Sequence, residues 1–117
     1  MMKPPVPSEL RLSADRRTLT VGYGDTSHAL AAELLRVESP SAEVQGHDPS
    51  QKTLIGGKSQ VAITRIEPVG NYAVRLVFDD GHETGIFSWA VLDRFVREGD
   101  GLWAAYVEGL AQAGLAR

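Results

Sequence analysis

Cysteine is absent from all 117 residues. That one absence removes disulfides, thiolate metal ligation and cysteine nucleophiles together. No apolar run approaches the roughly 20 residues a helix needs to cross a bilayer. The first residues, Met1-Met2-Lys3-Pro4-Pro5-Val6-Pro7, lack the apolar stretch of a secretory leader and read as a flexible lead. The expectation is a cytoplasmic chain with no membrane partner. Concentrated positive charge is missing too. Twelve Lys and Arg against 15 Asp and Glu leave a net charge of -3, and the densest basic cluster is only Arg11, Arg16 and Arg17. Binding driven by phosphate neutralisation needs a basic surface, so nucleic acid is not an expected partner.

What is present fits one ordinary globular domain: 43% hydrophobic and 23% charged residues. Glu9 to Leu12 and Thr18 to Tyr23 read as strands around a turn at Ser13-Ala14-Asp15-Arg16, with Leu19 and Val21 alternating against threonines. Gly22, Gly24 and Asp25 predict a loop. From Ala29, Leu30, Leu34 and Val37 recur at helical spacing, and Pro40 ends that helix. Residues 44–59 are polar and glycine-rich and predict a long loop.

Val61 to Ile66 returns to strand character, Pro68-Val69-Gly70 predicts a turn, and Asn71 to Phe78 is the clearest strand. Asp79-Asp80-Gly81-His82 closes a hairpin onto Glu83 to Phe87. Ser88 is placed to cap a helix that buries Val91, Leu92, Phe95 and Val96. Gly99-Asp100-Gly101 predicts a break, followed by a last helix with Trp103, Tyr106, Val107 and Leu110 along one side. The order predicts an α+β fold: a small, mainly antiparallel sheet with helices packed on one face. Its expected divisions are a lead over 1–7, a domain over 8–98 and a C-terminal helical extension over 99–117.

Chemistry is sparse. His28, His47 and His82 lie too far apart for a local metal motif, although histidine with carboxylates takes zinc or ferrous iron without cysteine. Candidate oxygen donors near them are Glu43, Asp48, Asp79, Asp80 and Glu83. Gly56-Gly57-Lys58-Ser59 is similar to the end of a phosphate loop, but Lys52 stands where the first glycine belongs and a strand follows. Ser88 has no nucleophile-elbow context. Trp89 and Trp103 suit core packing, and Trp89, just past the cap, also suits an interface anchor.

Three strings stand out. They are Leu34-Leu35-Arg36-Val37-Glu38-Ser39-Pro40-Ser41-Ala42-Glu43-Val44-Gln45-Gly46-His47, then Ile66-Glu67-Pro68-Val69-Gly70-Asn71-Tyr72-Ala73-Val74, then Phe78-Asp79-Asp80-Gly81-His82-Glu83-Thr84-Gly85-Ile86-Phe87-Ser88-Trp89. In this order they resemble the gamma-butyrobetaine-hydroxylase-like N-terminal domain family, over roughly Leu10 to Phe95. In the hydroxylase such a domain holds a structural zinc through three cysteines and a histidine, and contributes to dimerisation and substrate enclosure. The resemblance places those cysteines on Ser39, Ser41 and Val44 and the histidine on His82. Serine is a poor zinc ligand and valine is none, so that zinc site is not expected here.

The resemblance does not reach the oxygenase's iron-binding residues, so oxygenase activity is not carried over. Similar domains also occur fused to a P-loop ATPase of the iron–sulfur carrier type. This implies a non-catalytic accessory or protein-interaction domain serving an iron- or iron–sulfur-dependent partner. Interaction candidates are Arg36, Ser39, Ser41, Glu43, Asp80 and Trp89, and no cofactor is expected. The alternative is a metal-binding protein that holds iron or zinc through His82 and His47 with nearby carboxylates. A third reading is a small-molecule enzyme, for which the sequence names no nucleophile or base.

Overall fold

Alternation in the first segment produces the hairpin it predicts. Strands β1 (Glu9–Leu12) and β2 (Thr18–Tyr23) pair antiparallel, with Leu10 opposite Val21 and Leu12 opposite Leu19. The computed structural model describes residues 3–117, and Met1 and Met2 of the expected lead lie outside the described residues.

The predicted loop and helix after Tyr23 are corrected by a third strand, β3 (Thr26–Ala31), which pairs with β2 across a two-residue turn at Gly24-Asp25. Gly24 has φ +73°, a conformation nearly closed to side-chain-bearing residues, and this lets the chain reverse so tightly. Helix α1 begins only at Ala32 and ends at Val37, before Pro40. Leu30 and Leu34 are four residues apart, so a strand-to-helix junction imitated one helical face. The long loop is also partly ordered: α2 covers Ala42–Gln45, and a single 3-10 turn covers Pro49–Gln51 behind the capping carboxylate of Asp48.

The second half forms a separate antiparallel sheet. Strand β4 (Ile63–Val69) runs through Pro68, which an edge strand tolerates, so the predicted turn moves on to residues 70–72. Strand β5 (Ala73–Phe78) is central, and Tyr72 falls outside it with 56% exposure. The returning strand β6 is confined to Ile86–Ser88, because the segment before it carries His82 and Gly85 inward and leaves Glu83 and Thr84 exposed. The strand orders are β1-β2-β3 and β4-β5-β6, two small sheets where one was expected. Arg16, with φ +62°, joins them: its carbonyl accepts from Ile63 N–H at 2.8 Å, and its guanidinium reaches the Thr64 carbonyl at 2.6 Å.

Helix α3 (Trp89–Ala113) is capped by Ser88, whose hydroxyl accepts from Val91 N–H at 3.2 Å. It runs unbroken through Gly99-Asp100-Gly101, against expectation. Two interior glycines cost about 1 kcal/mol each. Burial of Leu92 and Phe95 before them and Tyr106 and Leu110 after them returns about 1.5–3 kcal/mol per side chain. Packing on both sides therefore carries the helix across. Val107, expected in the buried stripe, is 39% exposed.

The core gathers Leu19, Val21 and Leu30 from the first sheet and Ile63, Val74, Leu76, Phe78 and Phe87 from the second, with Leu34, Leu35, Leu92 and Phe95 from the helices. A smaller cluster of Val37, Tyr106 and Leu110 lies beside it. Among the described residues no helix is long and apolar enough to cross a membrane.

Candidate functional site

Pro40 cannot continue α1, and the Ser39-Pro40-Ser41 segment that follows turns both serines inward. Ser39 is 0% exposed and Ser41 6%. Ser41 holds the N-cap position of α2 yet makes no cap bond with its side chain. Its hydroxyl faces His82 instead, at 3.4 Å from Nε2, while the Ser39 hydroxyl lies 3.0 Å from the same nitrogen. The other ring nitrogen, Nδ1, is 3.3 Å from the Glu43 carboxylate. A carboxylate can only accept, so Nδ1 carries the proton and Nε2 accepts from the serines.

The β5–β6 turn delivers His82 to this position. The Asp80 carboxylate accepts from His82 N–H at 3.1 Å, and the His82 carbonyl accepts from Phe78 N–H at 2.9 Å. The other Asp80 oxygen meets the Arg36 guanidinium and the Lys58 ammonium, each at 2.7 Å. Burial pushes the Asp80 carboxyl up, but Lys58, the His82 N–H and Arg36 together outweigh it and bring it down to about 2. For His82, burial and then the Arg36 charge lower the pKa, opposed by Glu43 and Asp80. The imidazole is held neutral.

Gly85 closes the cluster from the far side. A Cβ there would stand 2.5 Å from the Ser39 hydroxyl and 3.0 Å from the Phe87 ring. The linear arrangement Glu43–His82–Ser39 has the connectivity of a nucleophile triad. Its serine, however, is sealed, and none of the four principal cavities is lined by Ser39, Ser41 or His82. What the arrangement does chemically is tie the segment after α1 to the β5–β6 turn.

The structure thus brings together Arg36, Ser39, Ser41, Glu43, Asp80 and His82. It does not bring His47 to them: that side chain is exposed, and its backbone N–H bonds Gln51 at 3.0 Å. Trp89 is half-buried, packs against the core and donates its indole N–H to the Asn71 carbonyl at 2.9 Å. The sequence brought up Lys58 only in the discarded phosphate-loop comparison, and the roles of Lys58 and Gly85 here depend on partners distant in the chain. The same holds for Glu33, 5% exposed, which meets the Arg117 guanidinium at 2.8 Å.

The zinc set implied by the resemblance does not fit these residues. Two of its three cysteine positions carry hydroxyls engaged with His82, and the third is the buried apolar Val44. Among the described residues no group of three or more His, Cys, Asp and Glu is arranged to hold a metal ion.

No curated protein matches the chain. Solved structures do. Two proteins determined by NMR in solution share 46% and 43% identity, with TM-scores of 0.85 and 0.81. Those matches cover 98% and 100% of this chain and 91% of each of the others. A crystal structure from Acidithiobacillus ferrooxidans ATCC 23270, a protein of unknown function in the DUF971 family, shares 38% identity at TM-score 0.64. That match covers 80% of this chain and 96% of the other. Residues 10–93 match the family described as gamma-butyrobetaine hydroxylase-like, N-terminal. The chain belongs to that family.

Proposed function

We propose that this chain is a non-catalytic accessory domain that works by docking a partner protein. The docking face is the surface of α2, the 47–53 segment and the β5–β6 turn. The observation that carries this reading is the sealed polar hub beneath that surface. A triad-like line of Glu43, His82 and Ser39 whose hydroxyl no substrate can reach supports a scaffold rather than a reaction centre. Glu43 is exposed at the edge of the hub, and His47, Asp48 and Lys52 are exposed in the segment that follows α2, so the hub anchors one end of a polar, mixed-charge surface. An iron- or iron–sulfur-dependent protein is the partner class the family relation favours.

The test is affinity capture of the full chain with cross-linking, compared with Glu43→Lys/Asp48→Lys. A partner recovered by the parent and lost in the double variant, at unchanged melting temperature, is the expected result. Elemental analysis of untagged protein gives the opposing outcome. One equivalent of iron or zinc per chain, lost in His82→Ala, would overturn the scaffold reading in favour of the metal-binding one.

A further inference from the structure

Four strands form the edges of the two sheets, and three of them are guarded. Strand β1 carries the outward ion pair of Glu9 with Arg11. Strand β4 carries Arg65, Glu67, Pro68 and a register irregularity between Ile63 and Arg65. Strand β6 is only three residues long. Charge, proline, bulges and brevity are the devices that keep sheet edges from pairing with other chains. Strand β3, Thr-Ser-His-Ala-Leu-Ala over six residues, has none of them.

The register shows which backbone groups are free. Tyr23 and Thr26 close the two-residue turn, and Ala32 N–H bonds the Arg17 carbonyl at 2.8 Å, so bonded pairs with β2 alternate from 26 through 28 and 30 to 32. Ser27, Ala29 and Ala31 therefore turn their N–H and C=O groups away from β2. Among the described residues no backbone–backbone bond outside the ladder engages them. Beside this edge, between β3 and α3, runs a groove of about 620 Å³. Ala29 and Ala31 lie on one wall, half-buried Val96 and Trp103 give it apolar surface over the buried Leu34 and Phe95, and Asp100 stands on α3 with no ion pair among the described residues.

We infer that this groove is a docking site for an extended peptide segment of another protein. The segment adds as a fourth strand to β3, places apolar side chains against Val96 and Trp103, and presents a basic residue to Asp100. Main-chain bonds supply affinity in such additions, and alternate side chains supply specificity. A second copy of this chain fits poorly. On the face of its own β3 that carries Leu30, Thr26 is exposed, His28 is half-buried and Leu30 is 6% exposed in its own core, so self-pairing brings no free apolar side chain to the groove. This site is separate from the face over His82, so failure here leaves that proposal standing.

The experiment is an NMR titration of the full chain with the capped peptide Lys-Val-Thr-Phe-Thr-Val-Thr-Lys. Saturable shifts confined to residues 26–31 and 93–103 are expected. Ala29→Pro removes one outward N–H at a position where an edge strand accepts proline, and is expected to weaken binding about tenfold or more. Asp100→Lys, on the exposed side of α3, is expected to weaken it several-fold. Replacing both lysines of the peptide by glutamate is expected to have the same effect. No shifts, shifts elsewhere, or equal binding by a correctly folded Ala29→Pro variant would overturn the proposal. Concentration-dependent self-association that Ala29→Pro abolishes would also overturn it, by assigning the edge to a second copy.

Discussion

Among the described residues His82 and Glu33 are both buried, and they are satisfied in opposite ways. His82 is surrounded by several partners from three segments: Ser39 and Ser41 after α1, Glu43 on α2, and Asp80 in its own turn. Glu33, near the start of α1, has one ionic partner among the described residues, the half-exposed guanidinium of Arg117, which also lies 5.0 Å over the Trp103 ring. Many short contacts make a rigid junction, whereas a single long side chain makes a fastening that can be released. The difference assigns shape to the His82 hub and adjustability to the end of the chain.

Truncating the hub should produce the largest loss. His82→Ala removes the one partner that the Ser41 hydroxyl has among the described residues, deprives Ser39 of its acceptor and opens a cavity, so urea unfolding should report about 3 kcal/mol lost at neutral pH. A loss below about 1 kcal/mol would show that the hub carries no shape. Gly85→Ala attacks the same junction by overfilling it, with an expected cost of about 1–3 kcal/mol. Adding Ser39→Gly should recover part of that cost, because the clash is with the Ser39 hydroxyl. Non-additivity of the two substitutions is the measurement.

Arg117→Ala sharpens the other side of the comparison. It leaves the Glu33 carboxylate buried without its cation, so the melting temperature should fall, and Glu33→Gln in the same chain should restore part of the drop. The fall is expected to be smaller than that of His82→Ala, because the Arg117 side chain is 53% exposed and its pairing is screened. A larger fall would reverse the assignment of rigid and adjustable regions.

Legibility in the sequence followed the range of the interactions. The β1–β2 hairpin, the central strand β5 and the Ser88 cap were readable because a few adjacent residues decide them. Strand β3 was not, since alanines at 29, 31 and 32 carry no period and Leu30 with Leu34 copied a helical one. The predicted break at Gly99-Asp100-Gly101 failed for a related reason. A local glycine penalty carries no information on the packing of Phe95 and Tyr106 on either side. The hub was half visible. Resemblance pointed to Ser39, Ser41 and His82 as neighbours, but Gly85 and Lys58 act through space on residues more than twenty positions away and leave no local signal.

The smallest expected effect tests how the hub holds its proton. Glu43 is 63% exposed in its side chain, so Glu43→Gln should change stability at pH 7 by no more than about 0.5 kcal/mol. Its influence should emerge in acid. Folding lowers the His82 pKa below its ordinary 6.5, so the unfolded chain takes up a proton that the folded chain refuses. That contribution is fully present above 6.5 and is lost as pH falls through the folded value. Glu43 opposes the lowering, so its removal should deepen it and extend the loss to lower pH. The contribution of Asp80 stays out of this window, because it is lost only between 3.8 and about 2. Unfolding followed downward from about pH 7 should therefore show a loss that continues to lower pH, and is larger in total, in Glu43→Gln than in the parent chain. Identical pH profiles would mean that Glu43 does not engage Nδ1, and that the serines alone hold the ring.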